Sequence, residues 1–198
     1  MTSADIQHGF GKRAHDIVGL FDKTNLLSTF MRKLEKQANI DPDRYDRDKY
    51  VGDGFEFLME IFIKSSAFDN RVGITKYEPV QSDDNGVDGV GYNLNREKCA
   101  VQIKYRSNTM QTLTANQDHL SNFIADAMFK FKIVAAEDNK QVPRHYVFTT
   151  AKGLNFYTDV EMFKGFVKCY DNEELRFLLD SNFNFWDLCR EIVKDYKK

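Results

Sequence analysis

The stretch that most limits what this chain can become runs from Asp83 to Arg106, DDNGVDGVGYNLNREKCAVQIKYR. Residues 87–93 and 98–106 read as two strands, and 93–97 reads as the loop that joins them. A hairpin centred on Asn95 sets Asp88, seven residues before, opposite Gln102, seven residues after. Directly opposed residues of an antiparallel pair project from the same face, with Cβ atoms about 4.5–5.5 Å apart. Lys104 shares that face because strand side chains alternate with period two. The opposite face of the strand, Cys99, Val101, Ile103 and Tyr105, is apolar and is expected to pack on a core.

The pattern therefore gathers a carboxylate, an amide oxygen and an ammonium. Hard divalent cations take oxygen ligands, and Mg²⁺ commonly uses only one or two carboxylates beside waters and phosphate oxygens. Asp88 offers a charged oxygen, Gln102 a neutral one, and a lysine beside them can orient water or offset charge developing on a phosphate. Alternation alone favours a simpler reading, a solvated polar face on an ordinary hairpin.

Around the hairpin the pattern is mixed. Residues 15–40 carry Ile17, Leu20, Phe21, Leu27, Phe30, Met31 and Leu34 as roughly one helical stripe, with a break near Thr24-Asn25. Asp41-Pro42-Asp43 reads as a turn, and a boundary is placed there: 1–49 as a helical N-terminal extension, 50–198 as the main domain. Residues 54–65 predict a helix, with Phe55, Leu58, Met59 and Phe62 on one side. Further strands are expected at 75–80, 145–150 and 165–170, and helices at 116–136, 172–179 and 186–196. The order predicts an α/β domain.

Composition excludes several classes. Hydrophobic residues make up 42% and charged residues 29%, which is globular rather than disordered. A net charge of -2 gives no support to a purely electrostatic nucleic-acid binder. Cys99, Cys169 and Cys189 are far apart, with no CxxC pair, and are expected as small buried thiols. No 18-residue apolar run and no apolar leader at 1–11 occur, so a soluble intracellular protein is expected. His119 and His145 lack HExxH spacing, and neither a phosphate-binding glycine loop nor a GxSxG elbow is present.

GVDGV followed by AVQIK resembles the active-site motif of the PD-(D/E)XK nuclease superfamily, in its Mrr-like restriction endonuclease branch, which carries Gln where most relatives have Asp or Glu. GFEFLMEIFI is similar to the family's first-helix pattern, HYVFTT to its next core strand, and FVKCYDNEELRFLL to its closing strand and helix, so the likeness spans about 50–181. The resemblance implies a restriction-endonuclease-like mixed sheet flanked by helices and a Mg²⁺-dependent DNA endonuclease, with Mn²⁺ as a substitute. It implies that Asp88, Gln102 and the Ile103 carbonyl bind metal and that Lys104 acts on the water. Glu56 is the implied helix carboxylate, holding metal-bound water or a second metal.

Val87 departs from the commoner Pro, and Gln102 removes a negative charge, which weakens metal binding. Glu60 competes with Glu56, but Glu60 and Lys64 have the spacing of an ordinary helical ion pair. Asp83 and Asp84 read as loop residues. Arg96, Lys98, Lys104 and Arg106 read as a local basic cluster before the uncharged polar stretch 107–117, with Lys98 and Arg106 as candidate DNA contacts. A homodimer is compatible with cutting two strands. Two rivals stand beside the nuclease: a non-catalytic nucleic-acid-binding module on the same fold, and a partner-binding protein using the aromatic run 177–186.

Overall fold

The computed structural model describes residues 1–40, 46–80, 86–114, 120–134, 142–155 and 167–197. The turn expected at Asp41-Pro42-Asp43, the loop carboxylates Asp83 and Asp84, and His119 lie outside the described residues. The chain divides into two compact units, Met1–Ser65 with Glu174–Lys198, and Ser66–Glu173. Residues 1–49, expected as an extension, thus belong to the same unit as most of the following helix and the C-terminal helices.

The first unit is helical. It contains α1 (Phe10–Arg13), α2 (Ile17–Phe21), α3 (Leu27–Ala38), nearly all of α4 (Arg47–Ser66), most of α6 (Asn172–Asp180) and α7 (Phe183–Lys194). All seven residues of the stripe expected over 15–40 are buried. The break between α2 and α3 is built rather than loose: the Thr24 hydroxyl donates to the Leu20 carbonyl at 2.8 Å, and Arg190 donates to the Thr24 carbonyl at 2.7 Å. Leu26 stands at the N-cap of α3 and has no side-chain acceptor to offer. Asp180 caps that end instead, accepting from the Leu27 amide at 2.7 Å. An aromatic core runs through the unit, with ring centroids 5.0 Å apart for Phe21–Phe30, 6.3 Å for Phe30–Trp186 and 5.6 Å for Phe62–Phe185. Of the aromatic run 177–186, Phe185 and Trp186 are buried, while Phe177 and Phe183 are exposed.

α4 starts at Arg47, seven residues before the expected start at 54. The Asp46 carboxylate accepts from the amides of Asp48 and Lys49 at 3.0 and 3.1 Å, which starts the helix. Tyr50 and Val51 are buried, so this first turn belongs to the core. From Phe57 to Ile63 every side chain is buried, including the charged Glu60. Among the described residues no helix is long and apolar enough to cross a membrane.

The second unit is a five-stranded mixed sheet in the order β1 (Thr75–Pro79), β2 (Gly89–Tyr92), β3 (Lys98–Lys104), β4 (His145–Thr149), β5 (Val167–Tyr170). β1–β2 and β2–β3 pair antiparallel, whereas β3–β4 and β4–β5 pair parallel. α5 (Leu120–Phe129) follows β3; the expected helix 116–136 ends at Phe129, and 116–119, 135 and 136 lie outside the described residues. Phe123 and Ala127 of α5 pack with Val87, Ala100 and Val147 on one face of the sheet. The opposite face carries Cys99, Val101, Ile103, Tyr146 and Phe148, all buried, with Phe148 stacked on Tyr170 at 4.8 Å. Gly89 lies where a Cβ would meet the Tyr77 ring at 2.3 Å, so β1 and β2 close only over a glycine. The chain as a whole is a mixed α/β protein.

Candidate functional site

β2 and β3 pair as Gly89↔Val101, Val90↔Ala100, Gly91↔Cys99 and Tyr92↔Lys98, which is the register expected for a hairpin centred on Asn95. The loop is held by Asn93, whose amide nitrogen donates to the carbonyls of Pro143 and Val142 and whose side-chain oxygen accepts from the amides of Asn95 and Glu97 at 3.0 and 2.9 Å. A buried side chain thus fixes the turn, and the turn fixes which residues face one another.

Asp88 stands one residue before β2 and extends the ladder. Its amide donates to the Val101 carbonyl at 2.9 Å, and its carbonyl accepts from Val80 at 2.9 Å. Its carboxylate Oδ2 accepts from the Ile103 amide at 2.5 Å. Gln102 lies between these two anchor points on β3, one residue beyond the last ladder pair, Gly89↔Val101. It is 2% exposed, and its Oε1 has no hydrogen-bond partner among the described residues. An exposed polar face on an ordinary hairpin is therefore ruled out at this position. A buried amide oxygen left without a donor costs about 1–3 kcal/mol, so the atom is open to a partner beyond the described residues. A hard cation suits it, since a neutral amide oxygen is one of its ordinary ligands.

Lys104 is half-buried on the same face, at the end of β3. Its carbonyl accepts from the Thr149 hydroxyl at 2.7 Å and from the Thr150 amide at 3.4 Å, so the β3–β4 pairing pins the backbone that carries the ammonium. Arg106 follows, its amide donating to the Thr150 hydroxyl at 2.7 Å. Lys98 is at the other end of the seven-residue strand. Six residues of extended chain separate Lys98 from Lys104, roughly 20 Å. The basic cluster expected from sequence is therefore two separate pairs, Arg96 with Lys98 and Lys104 with Arg106.

On the same face of β4, next to Ala100, His145 is fully buried with both ring nitrogens unpartnered among the described residues. Its ring meets Phe123 edge-on at 5.7 Å, and burial pushes its pKa down to about 4, which keeps it neutral. Cys99 and Cys189 are buried as expected and Cys169 is half-buried; burial pushes the Cys99 thiol up to about 12.

Glu56 belongs to the first unit, apart from the hairpin unit, and stands with His8 and Asp53. One ligand atom from each of these three lies within 4.8 Å of the others, a donor set able to hold a metal. Sequence reading missed this group. Asp53 and Glu56 share a helical face by their i, i+3 spacing, but nothing in the sequence pointed to His8. Hydrogen bonds already occupy the donors: Nε2 of His8 lies 3.3 Å from Glu56, the Phe10 amide donates to Nδ1 at 3.3 Å, and Arg13 pairs with Asp53. With Nδ1 accepting, Nε2 carries the proton and donates to Glu56, so a cation at Nε2 has to displace that proton. Glu60 is committed structurally, accepting from the Gln7 and His8 amides at 2.8 and 2.9 Å and pairing with Lys64 at 2.6 Å. No family model, curated protein or solved structure matches the chain.

Proposed function

We propose that this chain is a metal-dependent DNA endonuclease on a restriction-endonuclease-like fold of the PD-(D/E)XK type, working through Asp88, Gln102 and Lys104. The observation that carries the reading is the buried Oε1 of Gln102, without a protein partner among the described residues, on the residue next to Ile103, whose amide donates to the Asp88 carboxylate. Asp88 would contribute a charged oxygen and Gln102 a neutral one to Mg²⁺ or Mn²⁺. When bound, such an ion supplies the positive charge that lowers the pKa of water and offsets charge on the scissile phosphate. Lys104, one alternation beyond Gln102, would orient the water and steady the phosphate charge with its ammonium. The Ile103 amide holds the Asp88 carboxylate against β3 while this happens. Glu56, in the other unit, is not part of the geometry that supports this reading.

The test is incubation of the full chain with supercoiled and linear DNA in Mg²⁺, Mn²⁺ or EDTA, beside Asp88→Ala and Lys104→Ala. Cutting that needs metal and disappears in both variants is expected. Cutting that persists in Asp88→Ala, or none in either metal, overturns the assignment. One feature favours a second reading, a binding module on the same fold: Gln102 leaves Asp88 as the sole anionic member of the Asp88–Gln102–Lys104 set. DNA binding without cutting selects that reading.

A further inference from the structure

The end of α5 and the hairpin end of β3 build an aromatic–basic surface that the Asp88–Lys104 chemistry leaves unused. The segment Phe129-Lys130-Phe131-Lys132 leaves the helix with aromatic and cationic side chains in alternation. Phe129 is 68% exposed, an unusual position for a large apolar ring. Phe131 is half-buried and lies under Lys98, whose ammonium is 5.6 Å from the ring centroid and donates to the Phe131 carbonyl at 3.3 Å. Lys132 folds back to donate to the Phe129 carbonyl at 2.9 Å, so its charge is held at the backbone of the residue that carries the exposed ring. Lys130 pairs with Asp126 at 3.1 Å, and Arg96 adds an exposed cation two residues from Lys98. The nearby acid Glu97 is occupied by Arg144. Among the described residues the local balance is positive, although the whole chain carries a net charge of -2.

An exposed phenyl ring framed by lysines suits a ligand with both a flat apolar surface and a negative backbone. Single-stranded nucleic acid has both, because its unstacked bases lie on aromatic rings while phosphates meet cations. A duplex keeps its bases stacked and offers the ring little. We propose that Phe129, with Lys98, Lys130 and Lys132, is a docking site for single-stranded nucleic acid, one base stacking on Phe129. This deepens the nuclease reading and rests on it for the choice of nucleic acid as partner: the preferred substrate carries an unpaired segment, such as a flap, gap or loop, roughly 20 Å along β3 from Lys104.

The experiment measures affinity of the full chain for fluorescent single-stranded and duplex oligonucleotides in EDTA, so that cutting plays no part. Wild type, Phe129→Ala, Phe129→Trp and Lys132→Gln are compared across salt concentrations. Tighter binding of the single strand is expected. Phe129→Ala should weaken it about 5- to 100-fold with little change in salt slope, and Phe129→Trp should retain it. Lys132→Gln should lower the slope of log affinity against log salt by about 0.7. Equal binding of single strand and duplex, or wild-type affinity in Phe129→Ala, overturns the proposal, as does the absence of binding at low salt. If wild type cuts DNA while Phe129→Ala binds normally, the docking site fails and the nuclease reading stands. If this binding pattern is found without metal-dependent cutting, the docking site stands and the nuclease reading fails.

Discussion

Asp88 grips β3 on both sides of Gln102: its amide reaches the Val101 carbonyl at 2.9 Å and its carboxylate receives the Ile103 amide at 2.5 Å. One residue therefore closes the end of the hairpin, with its backbone on Val101 and its carboxylate on Ile103. The structural role and the proposed chemistry fall on the same residue, and substitutions can separate them.

Asp88→Asn keeps an oxygen able to accept from Ile103 and removes the charge. Its stability should lie within about 1 kcal/mol of wild type, whereas Asp88→Ala strands the Ile103 amide and should cost about 1.5–3 kcal/mol. Urea denaturation measures both. Metal-dependent cutting should be lost in each. Equal destabilisation of the two variants would show that the charge itself, and not an acceptor, holds the ladder.

Gln102→Leu replaces the buried amide with a near-isosteric apolar group. In EDTA the variant should be as stable as wild type, or more stable by about 1–2 kcal/mol, because a buried polar atom with no partner among the described residues has been removed. Mn²⁺ should raise the wild-type melting temperature, as any ligand specific to the folded state does, and leave the variant unmoved. Severe destabilisation of Gln102→Leu in EDTA would mean that the amide serves the fold. An equal Mn²⁺ shift in both proteins would place the ion elsewhere.

His145 gives the fold an acid sensitivity. Its pKa falls from an ordinary 6.5 to about 4 because burial and Arg144 disfavour the charged ring. Below pH 6.5 the unfolded chain takes up a proton that the folded chain refuses, so stability falls as pH drops and levels off near pH 4. At about 1.4 kcal/mol per pKa unit, the total contribution is on the order of 3 kcal/mol. His145→Leu should flatten this part of the stability–pH curve, read by denaturant titration at pH 4.5, 5.5, 6.5 and 7.5. An unchanged slope would show that other groups carry the acid response.

The sequence made the hairpin legible because a turn and an alternation together leave one register. The register from Gly89↔Val101 to Tyr92↔Lys98 followed from counting, and Asp88, one residue before it, reaches β3 at Val101 and Ile103, on either side of Gln102. Burial of Gln102 was not legible, since alternation says which residues share a face but not what covers it. Here Gln102 pairs in the ladder with Val147 of β4, on the face against which α5 packs. The start of α4 at Arg47 was not legible because the packing that holds Gly54 in the helix, against Leu34 and Phe10, lies distant in sequence. The supposed basic cluster failed for a simpler reason: neighbours in sequence are far apart on an extended strand.

Gly54 offers a direct check on that packing argument. A Cβ at this position would lie 2.6 Å from both Leu34 methyl carbons and 3.0 Å from the Phe10 ring. Helix propensity alone predicts that Gly54→Ala stabilises α4 by about 1 kcal/mol, whereas overpacking costs about 1–3 kcal/mol. The steric term is expected to win, with net destabilisation of about 1 kcal/mol. Leu34→Ala alone opens a cavity and should cost about 2–5 kcal/mol. In the double variant the new methyl enters that cavity, so the combined loss should fall short of the sum by about 1–2 kcal/mol. Simple additivity would mean that Leu34 turns aside freely, and that something other than close packing keeps glycine in the middle of the helix.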